Sequence, residues 1–322
     1  MRHRQVGKSG LSVSRTGLGT LTWGRDTSYE DARRMALAFV EAGGDLIDTA
    51  AAYGGGDAER IIGKLIRTEL NRESLVIATK AGFVSRDGKQ AIDTSRQTLL
   101  ADLRESLRRL HTDHIDLWQL HAWGDAPLEE SLAAIDTAVA AGSVRYAGVS
   151  NFVGWQTAQA ATWQRAFPGR AKLASAQVEY SLLARRAEFE IIPALRAFGM
   201  GLFPWSPLGR GVLTGKYSAG SVPRGSRADA EHFSWFIEPY LGQPSSAIVY
   251  AVQVAARGME MTPAQVALLW VRDAPGVTAP LLGSRNLAQL RPLLEAEQFE
   301  LPPEITQALD DVSGGPNELR LA

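Results

Sequence analysis

The stretch LIDTAAAYGGG at residues 46–56 begins as an apolar, strand-like run and then supplies a carboxylate, Asp48, and a phenol, Tyr53. Two further apolar runs end in the same way: Lys80 ends SLVIATK, and His121 ends HIDLWQLH. In a barrel of parallel strands, the carboxyl ends of the strands converge on one face, where active sites are built. A phenol flanked by an ammonium, a carboxylate and an imidazole is suited to transferring a proton.

Working outward from this stretch, apolar strand-like runs alternate with amphipathic helical runs along the whole chain. Eight runs have the pattern of strands: TGLGTL (16–21), DLIDT (45–49), SLVIATK (74–80), HIDLWQL (114–120), VRYAGVS (144–150), KLASAQV (172–178), MGLFPWS (200–206) and VTAPLLG (277–283). Ten have the pattern of helices: 28–42, 57–70, 94–110, 127–141, 153–167, 186–198, 246–257, 262–272, 286–295 and 303–312. Such alternation predicts parallel strands joined by right-handed crossovers.

Eight strand–helix units predict a single α/β domain over residues 1–322, a (β/α)₈ TIM barrel. An open doubly wound sheet is the alternative, but it normally carries a glycine-rich turn after its first strand. Here GLGTLTWG at 17–24 has no third glycine in register. RQVGKSGLSVSR at 4–15 predicts an N-terminal β-hairpin that could plug the barrel floor. Residues 206 to about 245, rich in Gly, Pro and Ser, predict a long loop insertion after strand 7.

The bulk composition is that of an ordinary soluble globular protein. Of 322 residues, 45% are hydrophobic and 21% charged, and the net charge of −1 gives no reason to expect nucleic acid or an anionic membrane as partner. There is no cysteine, which excludes disulfides and thiolate zinc sites. Neither an apolar signal core nor a transmembrane-length apolar run is present, so a cytoplasmic location is expected.

The candidate chemistry centres on Tyr53, whose unperturbed pKa near 10 is too high for efficient proton transfer at neutral pH. We expect Lys80 to lower that pKa, with Asp48 holding Lys80 protonated. His114 and His121 are separated by roughly 20 Å along a strand, so they cannot share a metal, and no metal site is predicted. His121 is instead expected to hydrogen-bond a substrate oxygen. The three glycines after Tyr53 could cradle a phosphate or form a simple tight turn, and both readings stay open.

These residues resemble those of the aldo-keto reductases over about residues 11–300. Asp48, Tyr53, Lys80 and His121 resemble the family's catalytic tetrad. GVSNF (148–152), QVEYSLL (177–183), WSPLGRGVLTGKY (205–217) and GSRNLAQL (283–290) resemble its cofactor-binding segments. The long string at 205–217 is the most specific of these and is typical of a branch that includes bacterial reductases and potassium-channel β subunits.

The resemblance implies a nicotinamide cofactor, NADPH (NADP+), and a small carbonyl substrate. It implies that the cofactor is bound by Gly19, Thr20, Asp48, Ser150, Asn151, Gln177, Trp205, Ser206, Leu208, Gly211, Lys216, Arg227, Gly283, Arg285 and Gln289. Within this set, Ser150, Asn151 and Gln177 would hold the nicotinamide carboxamide and Trp205 would stack on the ring. The substrate would contact Trp23, Tyr53, His121 and Trp123. Phe233, Trp235, Phe236 and Tyr240 are further candidates in the insertion.

Two departures from the family pattern bear on the cofactor. Leu293 stands where the family often has an asparagine, and the last loop lacks the lysine that some branches use for the 2′-phosphate. Arg285 is a planar donor suited to that phosphate, which favours NADPH over NADH.

The implied activity is reduction of an aldehyde or ketone to an alcohol, with Tyr53 as general acid. Two alternatives are a cofactor-binding partner subunit with little turnover and a barrel lyase that uses Lys80 as an imine nucleophile. The sequence gives no oligomeric state, and a homo-oligomer stays open.

Overall fold

A computed structural model describes residues 1–86, 88–217, 234–242 and 245–314. The strands in this part are β1 (His3–Gln5), β2 (Ser12–Ser14), β3 (Gly17–Gly19), β4 (Leu46–Asp48), β5 (Val76–Ala81), β6 (Phe83–Arg86), β7 (Lys89–Ile92), β8 (Ile115–Leu120), β9 (Val144–Ser150), β10 (Leu173–Glu179), β11 (Gly201–Trp205) and β12 (Leu281–Leu282).

The helices in the same part are α1 (Tyr29–Glu41), α2 (Asp57–Thr68), α3 (Arg96–Leu110), α4 (Leu128–Ala140), α5 (Gly154–Arg165), α6 (Ile191–Phe198), α7 (Ser234–Ile237), α8 (Ser245–Gly258), α9 (Pro263–Asp273), α10 (Leu287–Glu295) and α11 (Pro303–Ser313).

Eight of the strands form one parallel sheet in the order β11-β10-β9-β8-β5-β4-β3-β12. The two edges of this sheet meet, because Leu202 of β11 forms a parallel bridge with Val277 and accepts a hydrogen bond from the N–H of Thr278. Helices surround the sheet. The predicted (β/α)₈ TIM barrel is therefore confirmed, and the open doubly wound sheet is excluded.

Local sequence signals explain where the helices begin and end. The Ser28 hydroxyl accepts a hydrogen bond from the Asp31 N–H at 3.1 Å and caps α1. Gly199 ends α6 in the left-handed conformation, at φ 58°, which glycine adopts without a side-chain clash. Such caps set where each connecting loop enters the next strand.

The core has an inner and an outer layer. Inside the barrel, β4, β5, β8, β10, β11 and the segment around β12 contribute buried apolar side chains that pack against the N-terminal hairpin. Val6, Leu11 and Val13 of that hairpin are at most 7% exposed. The N-terminal hairpin therefore closes one end of the barrel, as predicted. The candidate functional residues lie at the opposite end.

One feature differs from the sequence-based expectation. A second antiparallel hairpin, β6–β7, follows β5, where no element was predicted. The sequence signal for it is Asp87-Gly88, a dipeptide typical of tight hairpin turns. The long loop insertion expected at 206 to about 245 stays a prediction, because 218–233 and 243–244 lie outside the described residues. Its described parts contain 3₁₀ turns at Gly209–Thr214 and Glu238–Tyr240 besides α7. Among the residues that the structure describes, no helix is long and apolar enough to cross a membrane.

Candidate active site

Asp48 and Lys80 form a buried ion pair at the carboxyl ends of the neighbouring strands β4 and β5. The Lys80 Nζ lies 2.7 Å from the Asp48 Oδ2, and the two side chains are 4% exposed or less. The same ammonium donates to the Thr49 carbonyl oxygen at 2.8 Å. Its third neighbour is the Tyr53 hydroxyl at 3.5 Å. The three N–H bonds of Lys80 are thus all directed at named acceptors.

Tyr53 reaches this pair from a 3₁₀ turn, Tyr53–Gly56, between β4 and α2. Gly54, Gly55 and Gly56 all have positive φ, from 58° to 93°, a region that side chains other than glycine rarely adopt. A side chain at Gly54 would lie 3.0 Å from the Trp23 carbonyl oxygen. Of the two readings of the glycine run, the geometry favours a packed tight turn that presents Tyr53 to Lys80.

The burial of this cluster shifts its protonation equilibria. Burial raises the pKa of the Tyr53 phenol above its ordinary value, and although the Lys80 ammonium lowers it, the net direction is upward. Lys80 lowers the pKa of Tyr53 as expected, but desolvation outweighs the ammonium, so the pKa stays above its ordinary value. Burial alone would lower the pKa of Lys80, but the facing Asp48 carboxylate raises it. Lys80 is therefore held charged and Tyr53 protonated.

His121 follows β8 and faces Tyr53, with the two rings edge to face and their centroids 5.8 Å apart. Burial, together with the Lys80 charge, lowers the pKa of His121 well below its usual value, so the imidazole is neutral. Its buried Nδ1 has no hydrogen-bond partner in the described part of the chain. A neutral imidazole with unused hydrogen-bonding capacity is suited to a substrate oxygen. The four predicted tetrad members therefore meet at one end of the barrel.

Two of the predicted carboxamide ligands already bind the protein itself. The Asn151 Nδ2 donates to the His121 carbonyl oxygen at 2.9 Å, and the Asn151 Oδ1 accepts from the Trp205 Nε1 at 3.0 Å. The Gln177 Nε2 donates to the Asp48 Oδ1 at 2.8 Å. Ser150 differs from both, because its hydroxyl is buried without a partner among the described residues. The sequence placed all three residues here, but not these bonds.

The loop after β11 is held by Arg210, which sequence reasoning did not single out. Its guanidinium binds the Glu179 carboxylate in a bidentate manner, at 2.7 and 2.6 Å, and lies 3.9 Å from the centroid of the Phe236 ring. Phe236 in turn stacks loosely on Trp205, with 6.2 Å between the ring centroids. Arg210 thus connects the described end of the insertion to Trp205. Arg227 and Phe233 lie outside the described residues.

The remaining predicted cofactor ligands lie at strand ends, or just after them, at the same end of the barrel. Thr20 is buried and its hydroxyl donates to the Asp48 carbonyl oxygen at 2.9 Å, while Gly19 pairs with Asp48 in the β3–β4 register. Leu208 begins the turn that Gly211 continues at φ 97°, and a side chain at Gly211 would lie 3.5 Å from the Lys216 Nζ. Ser206 directly follows β11. Gly283 and Arg285 lie in the loop that follows β12.

Gln289, in the first turn of α10, stabilises the loop that follows β12. Its Oε1 accepts a hydrogen bond from the Arg285 N–H at 3.0 Å, and its own N–H donates to the Asn286 Oδ1 at 3.1 Å. These bonds order the start of α10, where helix N–H groups and the helix dipole favour an anion.

The aromatic groups considered for the substrate side lie in different surroundings. Phe83, on the hairpin that the sequence analysis missed, lies 4.3 Å from His121 between ring centroids. Trp123 packs on Phe152 and Trp155, each at 5.2 Å. Trp23 is fully buried, and its indole Nε1 has no partner in the residues that the structure describes. Phe83 is therefore an addition to the predicted substrate-side residues.

Comparisons with known proteins agree with this geometry. The model of the "Aldo/keto reductase family" matches residues 15–313. The chain is 37% identical to an "Uncharacterized oxidoreductase YrpG" of Bacillus subtilis (strain 168), covering 98% of this chain and 97% of the relative. It is 33% identical to "Protein tas" of Escherichia coli (strain K12), covering 97% of each chain. It is 30% identical to a "Probable voltage-gated potassium channel subunit beta" of Oryza sativa subsp. japonica, covering 97% of this chain and 96% of the relative.

Proposed function

The chain belongs to the aldo/keto reductase family, and on this premise we propose that it is an NADPH-dependent oxidoreductase that reduces an aldehyde or ketone to an alcohol. The observation that carries the proposal is the meeting of Tyr53, Lys80, Asp48 and His121 in one pocket, with the Lys80 Nζ 2.7 Å from Asp48 and 3.5 Å from the Tyr53 hydroxyl. Members of this family generally use NAD(P)H.

The residues present fit such a cofactor. The buried Ser150 hydroxyl has no partner in the described part of the chain and can bind a carboxamide. Trp205 is a half-buried aromatic group at the same strand ends. When bound, NADPH supplies the hydride that the carbonyl carbon receives.

The protein's own groups manage the charge that develops on the carbonyl oxygen. Tyr53 is protonated at neutral pH, because its pKa is raised by burial, so it is ready to donate its proton to that oxygen. The neutral His121 provides a second hydrogen bond to it, and positioned donors of this kind stabilise developing negative charge. Lys80 remains beside the phenol and stabilises the phenolate that the transfer leaves behind.

This arrangement argues against a lyase that attacks through Lys80. An imine nucleophile must be a neutral amine. Here the Asp48 carboxylate raises the pKa of Lys80, and all three N–H bonds of the ammonium are directed at acceptors. A partner-subunit function keeps one specific support, the 30% identity to a protein named as a probable potassium-channel β subunit. An assay with a panel of carbonyl compounds distinguishes the reductase from the partner subunit. Consumption of NADPH with any of them supports the reductase, and no consumption with all of them supports the partner subunit.

Tyr53→Phe tests the proposed proton donor, because it removes a single oxygen atom. We expect kcat to fall by about 10²- to 10⁴-fold, the usual contribution of general acid catalysis, with the NADPH dissociation constant nearly unchanged. Tyr29→Phe is a matched control, because the Lys64 ammonium also lies close to this ring, 3.8 Å from its centroid. Tyr29 is on α1 and is not one of the four tetrad residues. Full turnover by Tyr53→Phe would exclude the phenol as the acid.

Arg285→Ala tests the preference for NADPH. If Arg285 binds the 2′-phosphate, its loss raises the dissociation constant of NADPH by about 10-fold or more and leaves that of NADH unchanged. Arg291→Ala, which alters an exposed arginine of α10, serves as the control. Equal weakening of both cofactors by Arg285→Ala, or tighter binding of NADH by the unmodified protein, would overturn the preference.

A further inference from the structure

The side chain of Gln177 crosses the interior of the barrel to reach Asp48. In the sheet order, three strands, β9, β8 and β5, separate β10, which carries Gln177, from β4, which carries Asp48. Even so, the Gln177 Nε2 lies 2.8 Å from the Asp48 Oδ1. Each of the two residues is 3% exposed. Both oxygens of the carboxylate are thus occupied, one by the amide and the other by Lys80.

We propose that Gln177 is a positioning residue for the proton-transfer group: its amide keeps the Asp48 carboxylate ionised and aimed at Lys80, and so helps to set the acidic limit of activity. This role differs from binding the nicotinamide carboxamide. The two are compatible, because an amide has a second N–H and an acceptor oxygen besides the N–H given to Asp48. The kinetic part of the proposal rests on the reductase function proposed above.

The Gln177 amide favours the ionised form of the buried Asp48 carboxylate. Burial raises the pKa of Asp48, and the Lys80 charge and the Gln177 hydrogen bond oppose that rise. The titratable groups facing Asp48 in the described structure are Lys80 from β5 and Tyr53 from the 3₁₀ turn. His121, from the end of β8, faces Lys80. The Gln177 amide is a neutral donor to the carboxylate oxygen that Lys80 does not bind. It stabilises the Asp48 anion without adding a charge that would disturb Lys80 or Tyr53.

Protonation of Asp48 would propagate to Tyr53. Lys80 is buried, and the facing Asp48 carboxylate is the main group that holds its pKa above the ordinary value against desolvation, with Tyr53 second. Once Asp48 is neutral, desolvation favours the neutral amine, and the phenol loses the ammonium that stabilises its phenolate. Activity should therefore fall as Asp48 takes up its proton, and the acidic limb of the kcat profile should report this step.

The test compares Gln177→Met with Gln119→Met across the pH range. Methionine keeps the side-chain length and removes the donor. We expect Gln177→Met to move the acidic limb of kcat to higher pH by about one unit, the pKa change caused by losing one charge-assisted hydrogen bond. Gln119 is a matched control, because it is 1% exposed, pairs with Lys80 in the β5–β8 register, and makes no bond to Asp48. Gln119→Met should keep the limb of the unmodified protein.

A second measurement needs no turnover and separates this proposal from the reductase assignment. The loss of thermal stability caused by Gln177→Met should grow as the pH rises through the pKa of Asp48. The reason is that the missing donor matters most to the ionised carboxylate, which the folded state must then hold without it. The loss caused by Gln119→Met should not depend on pH in this range. If no carbonyl is reduced, the reductase proposal fails, and this stability comparison still decides the role of Gln177.

Other outcomes also decide. An unshifted limb with a raised NADPH dissociation constant would make Gln177 a cofactor ligand only and overturn the proposal, as would an equal shift in Gln119→Met. If Gln177→Met does not fold, Gln177→Glu carries the test. Two facing carboxylates must share a proton, so Gln177→Glu should move the acidic limb further than one unit. An unmoved limb in that variant would refute the proposal.

Discussion

Lys80→Met removes the ammonium from the centre of the proposed proton-transfer group and leaves Asp48 buried without its charged partner. The side chain of Lys80 has no exposed surface, and that of Asp48 is 4% exposed. Water cannot replace the lost ammonium without rearrangement. The variant should therefore affect both stability and proton transfer, and the two effects can be measured separately.

The expected loss of stability follows from the burial. Removing one partner of a buried ion pair costs about 3–5 kcal/mol, because the remaining charge is left uncompensated. For 322 residues at ~2.1 cal/mol/K each, the entropy of unfolding is about 0.7 kcal/mol/K, so this loss corresponds to about 4–7 °C in Tm. Catalysis should fall as well, since the phenolate left on Tyr53 loses its stabilising charge.

The pH dependence has a definite sign. In the folded protein burial raises the pKa of Asp48 above its unfolded value, and losing Lys80 raises it further. A carboxyl group with a raised folded pKa costs stability when ionised, and stability is regained as the pH falls through that pKa. The gap in Tm between Lys80→Met and the unmodified protein should therefore be wide near pH 8 and narrow toward acidic pH.

The assay is thermal unfolding monitored by circular dichroism at several pH values, with two controls. Arg108→Met breaks an ion pair with the same 2.7 Å separation, to Glu105, in which both side chains are more than half exposed; it should leave Tm nearly unchanged. The double variant Lys80→Met with Asp48→Asn removes both charges and should recover most of the loss. Equal losses for Lys80→Met and Arg108→Met, or a gap that does not change with pH, would refute the reasoning.

Three further predictions concern the cofactor and substrate sides of the pocket. Ser150→Ala should raise the NADPH dissociation constant about 5-fold, the effect of one neutral hydrogen bond, whereas Ser175→Ala, which alters another buried hydroxyl without a described partner, should not. Phe83→Ala should lower kcat/KM about 3- to 10-fold through the loss of aromatic packing on His121, with NADPH binding unchanged; weakened NADPH binding would contradict this. Because its pKa lies well below 6.5, His121 should cause no break in kcat/KM near that pH; a break there that disappears in His121→Asn would contradict the neutral imidazole.

The barrel and the placement of the four tetrad residues were predictable from the sequence. Alternating apolar runs specify strands and helices locally, and a polar residue at the carboxyl end of each run specifies the face on which it emerges. The proximity of Asp48, Lys80 and His121 could therefore be predicted from the sequence. The β6–β7 hairpin that carries Phe83 was missed, although its Asp87-Gly88 signal was present, because its strands are only four residues long each.

The sequence by itself thus determined the barrel and which side chains gather at one of its ends, because periodicity and strand-end position are local properties. The family followed from the resemblance of its motifs. Only the tertiary structure decided which of those groups bind one another. The bond from Gln177 to Asp48 depends on the closure of the barrel, which brings residues 129 positions apart to hydrogen-bonding distance. The direction of the Tyr53 pKa depends on how completely the surrounding loops exclude water, and that is a sum over many distant contacts.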